Sequence, residues 1–277
     1  MDDGHAGRAA RARPGLRAVI LSAGQGSRLL PLTEKRPKCL IDLSGRSLLE
    51  WQLLALRHAG VSEAVVVTGF AADQVDQMLA AHTPAGMTVR TVFNPFYNVS
   101  DNLATCWLIR EELRDGGLIL NGDTLIEPEI AMRLLSAPAA PVTVTIDRKG
   151  DYDADDMKVQ TEDGQLRAIG KTLPMSIVDG ESIGFLRFDA DGAARFIADL
   201  ERMMRSGEGI KLWYLSTINR LVQDGCEVRV ESIEGLDWGE MDFLADVESN
   251  RALTAPWADR WLHPVSAGAS LPTAAAR

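Results

Sequence analysis

The sequence is poor in cysteine, has no excess of basic charge and contains no long apolar run. Its three cysteines, Cys39, Cys106 and Cys226, are odd in number and unclustered. This argues against a disulfide framework and a structural zinc site and fits a reducing compartment, so the expected location is cytoplasmic. Lys and Arg number 29 against 39 Asp and Glu, a formal charge of −10. A uniformly basic face for nucleic acid is therefore not expected, and anionic ligands would need cations gathered locally. No apolar run approaches the roughly 18 residues of a membrane span, and no lipid-binding helix is evident. No internal repeat is found. What is present is ordinary for a globular chain: 46% apolar and 25% charged residues, enough apolar surface to offset chain entropy. At roughly 150 residues per domain, 277 residues make one large domain or two small ones.

Residues 1–16, with Arg8, Arg11 and Arg13 among Ala and Gly, read as a disordered tail; no apolar segment follows them as in a secretory leader. Residues 256–277 read as a second tail, in which Trp257, Trp261 and Leu262 still have apolar surface to pack. Between them, strand and helix signals alternate. Residues 17–22, 64–68, 88–93, 117–120 and 142–147 are strand-like; 48–59, 73–81, 103–114 and 128–135 are helical, with Gly60 as a C-terminal stop. This order predicts an α/β fold with a mostly parallel sheet covered by helices. After residue 147 shorter strands at 157–160, 166–170, 182–188 and 227–232, helices at 193–205 and 213–224, and Asp-Gly turns at 163–164 and 179–180 predict a mixed second half on the same sheet. The expectation is one domain over residues 17–255.

The strongest local signal is Leu21-Ser22-Ala23-Gly24-Gln25-Gly26-Ser27-Arg28, a buried strand running into a glycine-rich loop. Glycines let main-chain N–H groups approach a ligand closely, and successive N–H groups form an anion-binding concavity. Arg28 adds a planar fork suited to phosphate. The loop is neither Gly-x-Gly-x-x-Gly nor a Walker-type loop, and a tight turn without ligand is the alternative. Arg36-Pro37-Lys38 follows, with Pro37 fixing the chain so that Lys38 can aim its ammonium back at the loop. Leu118-Ile-Leu-Asn-Gly-Asp123 is a second buried strand ending in an acid. Ligands in open α/β sheets lie beyond the carboxyl ends of strands, and an acid there suits Mg²⁺, which needs few carboxylates beside phosphate oxygens. In Asp237-Trp-Gly-Glu-Met-Asp242 three acids within six residues repel one another unless a cation intervenes. The alternative for Asp242 is a helix N-cap.

The loop with Leu29-Leu-Pro-Leu-Thr33 and Arg36-Pro-Lys-Cys-Leu40 resembles the signature of the nucleotidyltransferase superfamily, Ser22 standing where the loop usually has Ala. The resemblance extends over about residues 17–255. It implies a Rossmann-like nucleotidyltransferase fold, a mixed but mostly parallel central sheet flanked by helices, metal-dependent chemistry and pyrophosphate release. By this likeness Leu21, Ala23, Gly24, Gln25 and Gly26 would bind the nucleotide, Arg28 and Lys38 would act in catalysis, and Asp123 with Asp242 would hold Mg²⁺, Glu240 being the substitute for Asp242. Asn94-Pro-Phe-Tyr-Asn-Val-Ser-Asp-Asn102 is similar to the corresponding stretch of phosphocholine and phosphonate (2-aminoethylphosphonate) cytidylyltransferases, which points to CTP. Ser100 and Asn102 would meet the nucleotide and Asp101 the acceptor.

Asp151-Tyr-Asp-Ala-Asp-Asp156 fits the same subgroup: Tyr152, Asp153 and Asp156 would face an acceptor ammonium, an acidic solvated loop being the plainer reading. Lys171 resembles the lysine that contacts the acceptor phosphate, and Glu181 the acceptor-lining strand. Trp238, with Trp213 and Tyr214, would supply rings for cation–π attraction, core packing being the alternative. The expected partners are CTP and a small phosphorylated or phosphonate acceptor, with no nucleic acid and no membrane; a homodimer is left open. A sugar-1-phosphate nucleotidyltransferase and a non-catalytic nucleotide-binding module are the competing expectations.

Overall fold

A computed structural model describes residues 16–262; the tail expected at 1–16, but for its last residue, and the end of the second tail lie outside these residues. The buried run Arg17–Leu21 forms β1. A short hairpin follows, β2 (Asp42–Leu43) and β3 (Arg46–Ser47), leading into helix α1 (Leu48–His58). That helix starts where it does because Ser47 and Glu50 cap each other reciprocally. It stops at Gly60, whose φ of +91° suits glycine. Then come β4 (Glu63–Thr68), α2 (Ala72–His82), β5 (Thr88–Phe93), α3 (Asn102–Leu108), β6 (Gly117–Asn121), β7 (Thr124–Ile126) and α4 (Pro128–Ser136). The second half contributes β8 (Val142–Asp147), β9 (Lys158–Glu162), β10 (Gln165–Ile169), β11 (Gly180–Phe188), α5 (Ala190–Ser206), α6 (Leu215–Gln223), β12 (Val228–Ser232), β13 (Trp238–Glu240) and α7 (Leu244–Leu262).

Nine strands make one sheet in the order β5-β4-β1-β6-β11-β8-β12-β10-β9. From β5 to β6 every pairing is parallel. Beyond β6 only β8 and β12 run parallel, while β11 is antiparallel to both neighbours. Strand β9 bonds back to β11, so the far end of the sheet curls. The central sheet is thus mixed and flanked by helices as expected, but the description as mostly parallel holds only for the first half. In the second half the long strand β11 enters antiparallel between β6 and β8, and β9 and β10 form an antiparallel hairpin.

Two apolar clusters line the sheet, one around Val19, Ile119, Leu186 and Phe196, the other around Ile20, Leu53, Leu120 and Phe185. The alternation of Val19 and Ile20 between them is the period-two signature of a strand buried on both faces. A third cluster joins Trp51 of α1 to Trp257 and Trp261 of α7, with Trp51 and Trp257 fully buried. Trp257 and Trp261 stack with centroids 4.5 Å apart. The boundary drawn at 255 therefore falls inside a helix: Pro256 does not stop α7, which runs to Leu262 and packs Trp257 and Trp261 on α1.

Other boundaries shift for local reasons. The helix expected over 103–114 ends at Leu108 and gives way to a 3₁₀ turn at Arg110–Leu113. Asp163 and Gly164, at φ of +52° and +73°, make the expected hairpin turn between β9 and β10. Asp179-Gly180 does not form a hairpin: Gly180 opens β11, where a Cβ would sit 2.7 Å from the Asp147 carbonyl, and the Asp179 carboxylate accepts from the Thr161 main-chain N–H.

Candidate active site

Strands β1 and β6 are neighbours in register, Leu21 opposite Asn121. The glycine-rich loop and Gly122-Asp123 therefore leave the sheet side by side. Their closeness is tight enough that a Cβ on Gly122 would lie 2.3 Å from the Leu21 carbonyl oxygen. The loop itself is braced. Thr33 Oγ1 donates to the Gly26 carbonyl at 2.7 Å, and the Gln25 amide donates to the Thr33 carbonyl at 3.1 Å. Gly26, at φ +79°, rests on the Lys38 side chain, where a Cβ would come within 2.9 Å.

Buried Pro37 is extended and starts the short turn Lys38–Leu40. From it Lys38 Nζ reaches Asp123 Oδ2 at 2.8 Å and Asp242 Oδ1 at 3.0 Å. The second acid arrives on a separate ribbon. Strand β13 pairs with β7, and the Met241 N–H donates to the Asp123 carbonyl. Asp242 is not the helix cap. The Asp246 carboxylate caps α7 by accepting from the N–H groups of Asp242 and Phe243, which leaves the Asp242 side chain for Lys38 and Arg28. Arg28 Nη2 lies 2.8 Å from Asp242 Oδ2, and its guanidinium sits 5.0 Å above the Phe243 ring.

The electrostatics follow. Burial works against the Lys38 charge, but Asp123 and Asp242 outweigh it and its pKa is raised. Burial likewise pushes Asp123 up, but Lys38 overrides it and holds the carboxyl below the usual range. Glu240, although exposed at the strand end, is desolvated by the surrounding wall and pushed up to about 8, with Asp123, Asp242 and Glu181 adding to the rise. Negative charge is thus in surplus here, as expected for a place that receives a cation. Among the described residues no group of three or more His, Cys, Asp or Glu is poised to cage a metal alone. Two carboxylates at the mouth of a phosphate-type loop instead match a hard cation that completes its shell with phosphate oxygens and water.

A cleft of roughly 340 Å³ opens over this floor. It gathers Leu21, Ala23, Gly24, Gly26, Arg28, Lys38, Ser100, Asp101, Asn102 and Asp123, together with Trp213. Tyr97, Thr105 and Gly122 line it too and were not expected from sequence. Gln25 is turned to Thr33 and does not line the cleft. Asn102 accepts from the Tyr214 N–H through Oδ1, and Ser100 Oγ donates to the Phe96 carbonyl. A further unexpected residue is Gln52 of α1, fully buried. Its amide donates to the carbonyls of Asn121 and Thr124, both at 2.8 Å, clamping the turn that presents Asp123.

The remaining residues form a second group. Lys149 Nζ lies 2.8 Å from Glu181 Oε1 and 3.0 Å from Asp156. Burial pushes Glu181 up to about 7, while Asp156 is held low by Lys149 against the effect of its own burial. The Tyr152 hydroxyl accepts from the Lys149 N–H, and Asp153 Oδ1 accepts from the N–H groups of Asp155 and Asp156. Beneath the loop, Lys158, only 3% exposed, donates to the carbonyls of Asp153, Asp156 and Lys171. Lys171 Nζ stands 4.4 Å over the Trp213 ring. The three rings do not form a cage. Trp213 stands exposed in the cleft wall, Tyr214 is buried with its hydroxyl on Asn121, and the Trp238 indole donates to Asp147.

The glycine-rich turn, a lysine shared by two acids and the adjacent cleft thus lie together at the carboxyl ends of neighbouring strands of an α/β sheet. The chain belongs to the MobA-like NTP transferase domain family, whose model matches residues 18–202. It is an enzyme of the nucleotidyltransferase type, as the loop resemblance implies. The chain is 32% identical over 241 residues to CMP-5'-(3-aminopropyl)phosphonate synthase of Streptomyces rubellomurinus, covering 83% of this chain but spanning only 37% of that protein's length. It is 26% identical to choline-phosphate cytidylyltransferase of Streptococcus pneumoniae, over 83% of this chain and 95% of that one. The solved CTP:phosphocholine cytidylyltransferase from Streptococcus pneumoniae shares the fold, with a TM-score of 0.70 at 24% identity over 86% of this chain and 98% of that one. Among the described residues no helix is long and apolar enough to cross a membrane.

Proposed function

We propose that the chain is a Mg²⁺-dependent cytidylyltransferase. It transfers CMP from CTP to a small acceptor that carries a phosphate or phosphonate and an ammonium group, and it releases pyrophosphate. The observation that carries this reading is Lys38 bridging Asp123 and Asp242 beside the glycine-rich loop. The nucleotide and acceptor classes are supported by the names of the two relatives. We read the parallel half of the sheet as a Rossmann-like nucleotide-binding half, and the three buried free thiols favour a cytoplasmic setting.

An acceptor oxygen attacks the α-phosphorus, and pyrophosphate departs opposite to it. The reaction needs no covalent nucleophile, so positioning and charge stabilisation carry the rate. The N–H groups around Gly24 and Gly26, with Arg28, hold the triphosphate. Lys38 neutralises charge on the transferring group. Asp123 and Asp242 are the residues that would hold Mg²⁺, whose contribution is to neutralise charge on the triphosphate oxygens. Lys171, steadied on Trp213, orients the acceptor's phosphate.

The test is pyrophosphate release with Mg²⁺ and CTP, acceptor by acceptor, with phosphocholine, 2-aminoethylphosphonate and glucose 1-phosphate, repeated across the nucleoside triphosphates. Release with CTP and an amino-bearing acceptor is expected. It should be abolished by EDTA and by Asp123→Asn, a variant that should still fold. Full turnover in excess EDTA, or release with the sugar phosphate alone, overturns the reading.

A further inference from the structure

The loop between β8 and β9 places one carboxylate where the acceptor's anion is expected. Asp155 Oδ2 lies 3.4 Å from Arg28 Nη1, and Asp155 Oδ1 lies 3.3 Å from Lys171 Nζ. Two oxygens on one carbon thus face two cations from different parts of the chain, as two oxygens of a phosphate or phosphonate would. The loop does not need these contacts to hold its shape. Asp153 binds the N–H groups of Asp155 and Asp156, Asp156 accepts from the Asp153 N–H, and Lys158 pins the loop from beneath. The other local cation, Lys149, is already committed to Asp156 and Glu181. Asp155 is 55% exposed and Arg28 47% exposed, so both contacts are open to exchange with a solute anion.

We propose that Asp155 is an internal competitor for the acceptor's phosphate or phosphonate. It fills the anion position between Arg28 and Lys171 in the free chain and is displaced when the acceptor binds. This rests on the assignment of Lys171 to the acceptor made above and gives Arg28, whose Nη1 faces Asp155 while Nη2 faces Asp242, the acceptor's anion in addition to the triphosphate. A carboxylate carries one negative charge, whereas a phosphate or phosphonate near neutral pH carries up to two. The dianion therefore wins the two cations, and weak monoanions do not. Asp155 in this way sets a charge threshold that an acceptor must exceed, which makes it a specificity-determining residue rather than part of the chemistry.

The experiment is calorimetric titration of the full chain with inorganic phosphate, without CTP. Variant Asp155→Asn is compared with Asp151→Asn, which removes the same charge from the same loop away from the two cations. Two exposed ion pairs are worth a fraction of a kcal/mol to about one each, so Asp155→Asn should bind phosphate about three- to tenfold more tightly. Asp151→Asn should stay within about twofold of the parent. Adding Lys171→Met should erase the gain of Asp155→Asn, which ties the bound phosphate to this position. Equal changes in the two Asn variants, weaker binding by Asp155→Asn, a gain that survives Lys171→Met, or no phosphate binding by any of the variants each overturns the proposal. Because no nucleotide enters this titration, its outcome is independent of the CTP panel. A positive titration with a silent panel would remove the cytidylyltransferase reading and leave the anion site standing.

Discussion

The two sides of the site are held by different forces. On the side proposed for the nucleotide, the Asp123 turn is fixed by close contacts to main chain, Gly122 against Leu21, the buried Gln52 amide across the turn and Met241 onto the Asp123 carbonyl, and Lys38 is held in turn by Asp123 and Asp242. On the side proposed for the acceptor, Tyr152, Asp153, Asp155 and Asp156 sit on the loop that joins β8 to β9, held mainly by lysines. Close packing leaves little room for an alternative arrangement. Solvated ion pairs exchange partners at low cost. Under the proposed function the difference matches the two tasks, a triphosphate held on the rigid side and an acceptor exchanged on the looser one.

That contrast predicts a gradient of effects. On the rigid side, Lys38→Ala removes the one cation shared by both acids, and turnover should fall by something on the order of 10²–10³. Single-turnover kinetics at saturating CTP would check this; a loss confined to KM would move Lys38 from charge stabilisation to binding. On the loop side, Lys158→Met leaves three carbonyls without their donor. Unsatisfied buried groups cost about 1–3 kcal/mol, enough to loosen the loop and the Lys171 turn together. The acceptor KM should rise roughly tenfold while the CTP KM holds, and steady-state kinetics in both substrates read the split. Equal rises in both would show that the two sides are not separable.

The smallest effect is one of pH. Glu181 is raised from 4.5 to about 7, chiefly by burial, with Asp156 adding and Lys149 opposing. Between these values the native chain holds a proton that the unfolded chain has lost, so this group makes stability fall as pH rises through that window. The lowered pKa of Asp156 acts below it. Glu181→Gln should flatten the fall, seen as a smaller difference in urea midpoint between pH 5 and pH 7.5 than in the parent. Equal differences in parent and variant would mean that Glu181 ionises in the folded chain as it does in water.

The same contrast decided what sequence could show. The Gly24–Gly26 loop, Pro37 before Lys38 and the strand ending at Asp123 are local patterns, and the structure gathers them at one sheet edge. Asp242 stood out only by resemblance, because its meeting with Lys38 depends on β13 pairing with β7, a long-range match of two three-residue strands that carry no periodic signal. Gln52 looked like one polar position on an amphipathic helix, and Lys158 like a strand-end charge. Burial against main-chain carbonyls, distant in sequence for Gln52 and nearby for Lys158, makes them supports of the site. The mostly parallel sheet was extrapolated from the alternating first half, whereas the nine-residue β11 enters antiparallel between β6 and β8, a choice of partner that no local pattern encodes. The loop acids were legible as a cluster, but not which of them would be taken by lysines of the same loop.

The ribbon of β7 and β13 also sets an order of events during synthesis. Lys38 and Asp123 emerge early, but Asp242 is translated late, just before the helix whose Trp257 docks on Trp51. A growing chain thus holds two of the three members of its charge triad until Asp242 has left the ribosome, and domains generally settle as units. The partial chain has Lys38 and Asp123 without their third member, so a fragment that stops before residue 238 should carry the cradle yet remain silent.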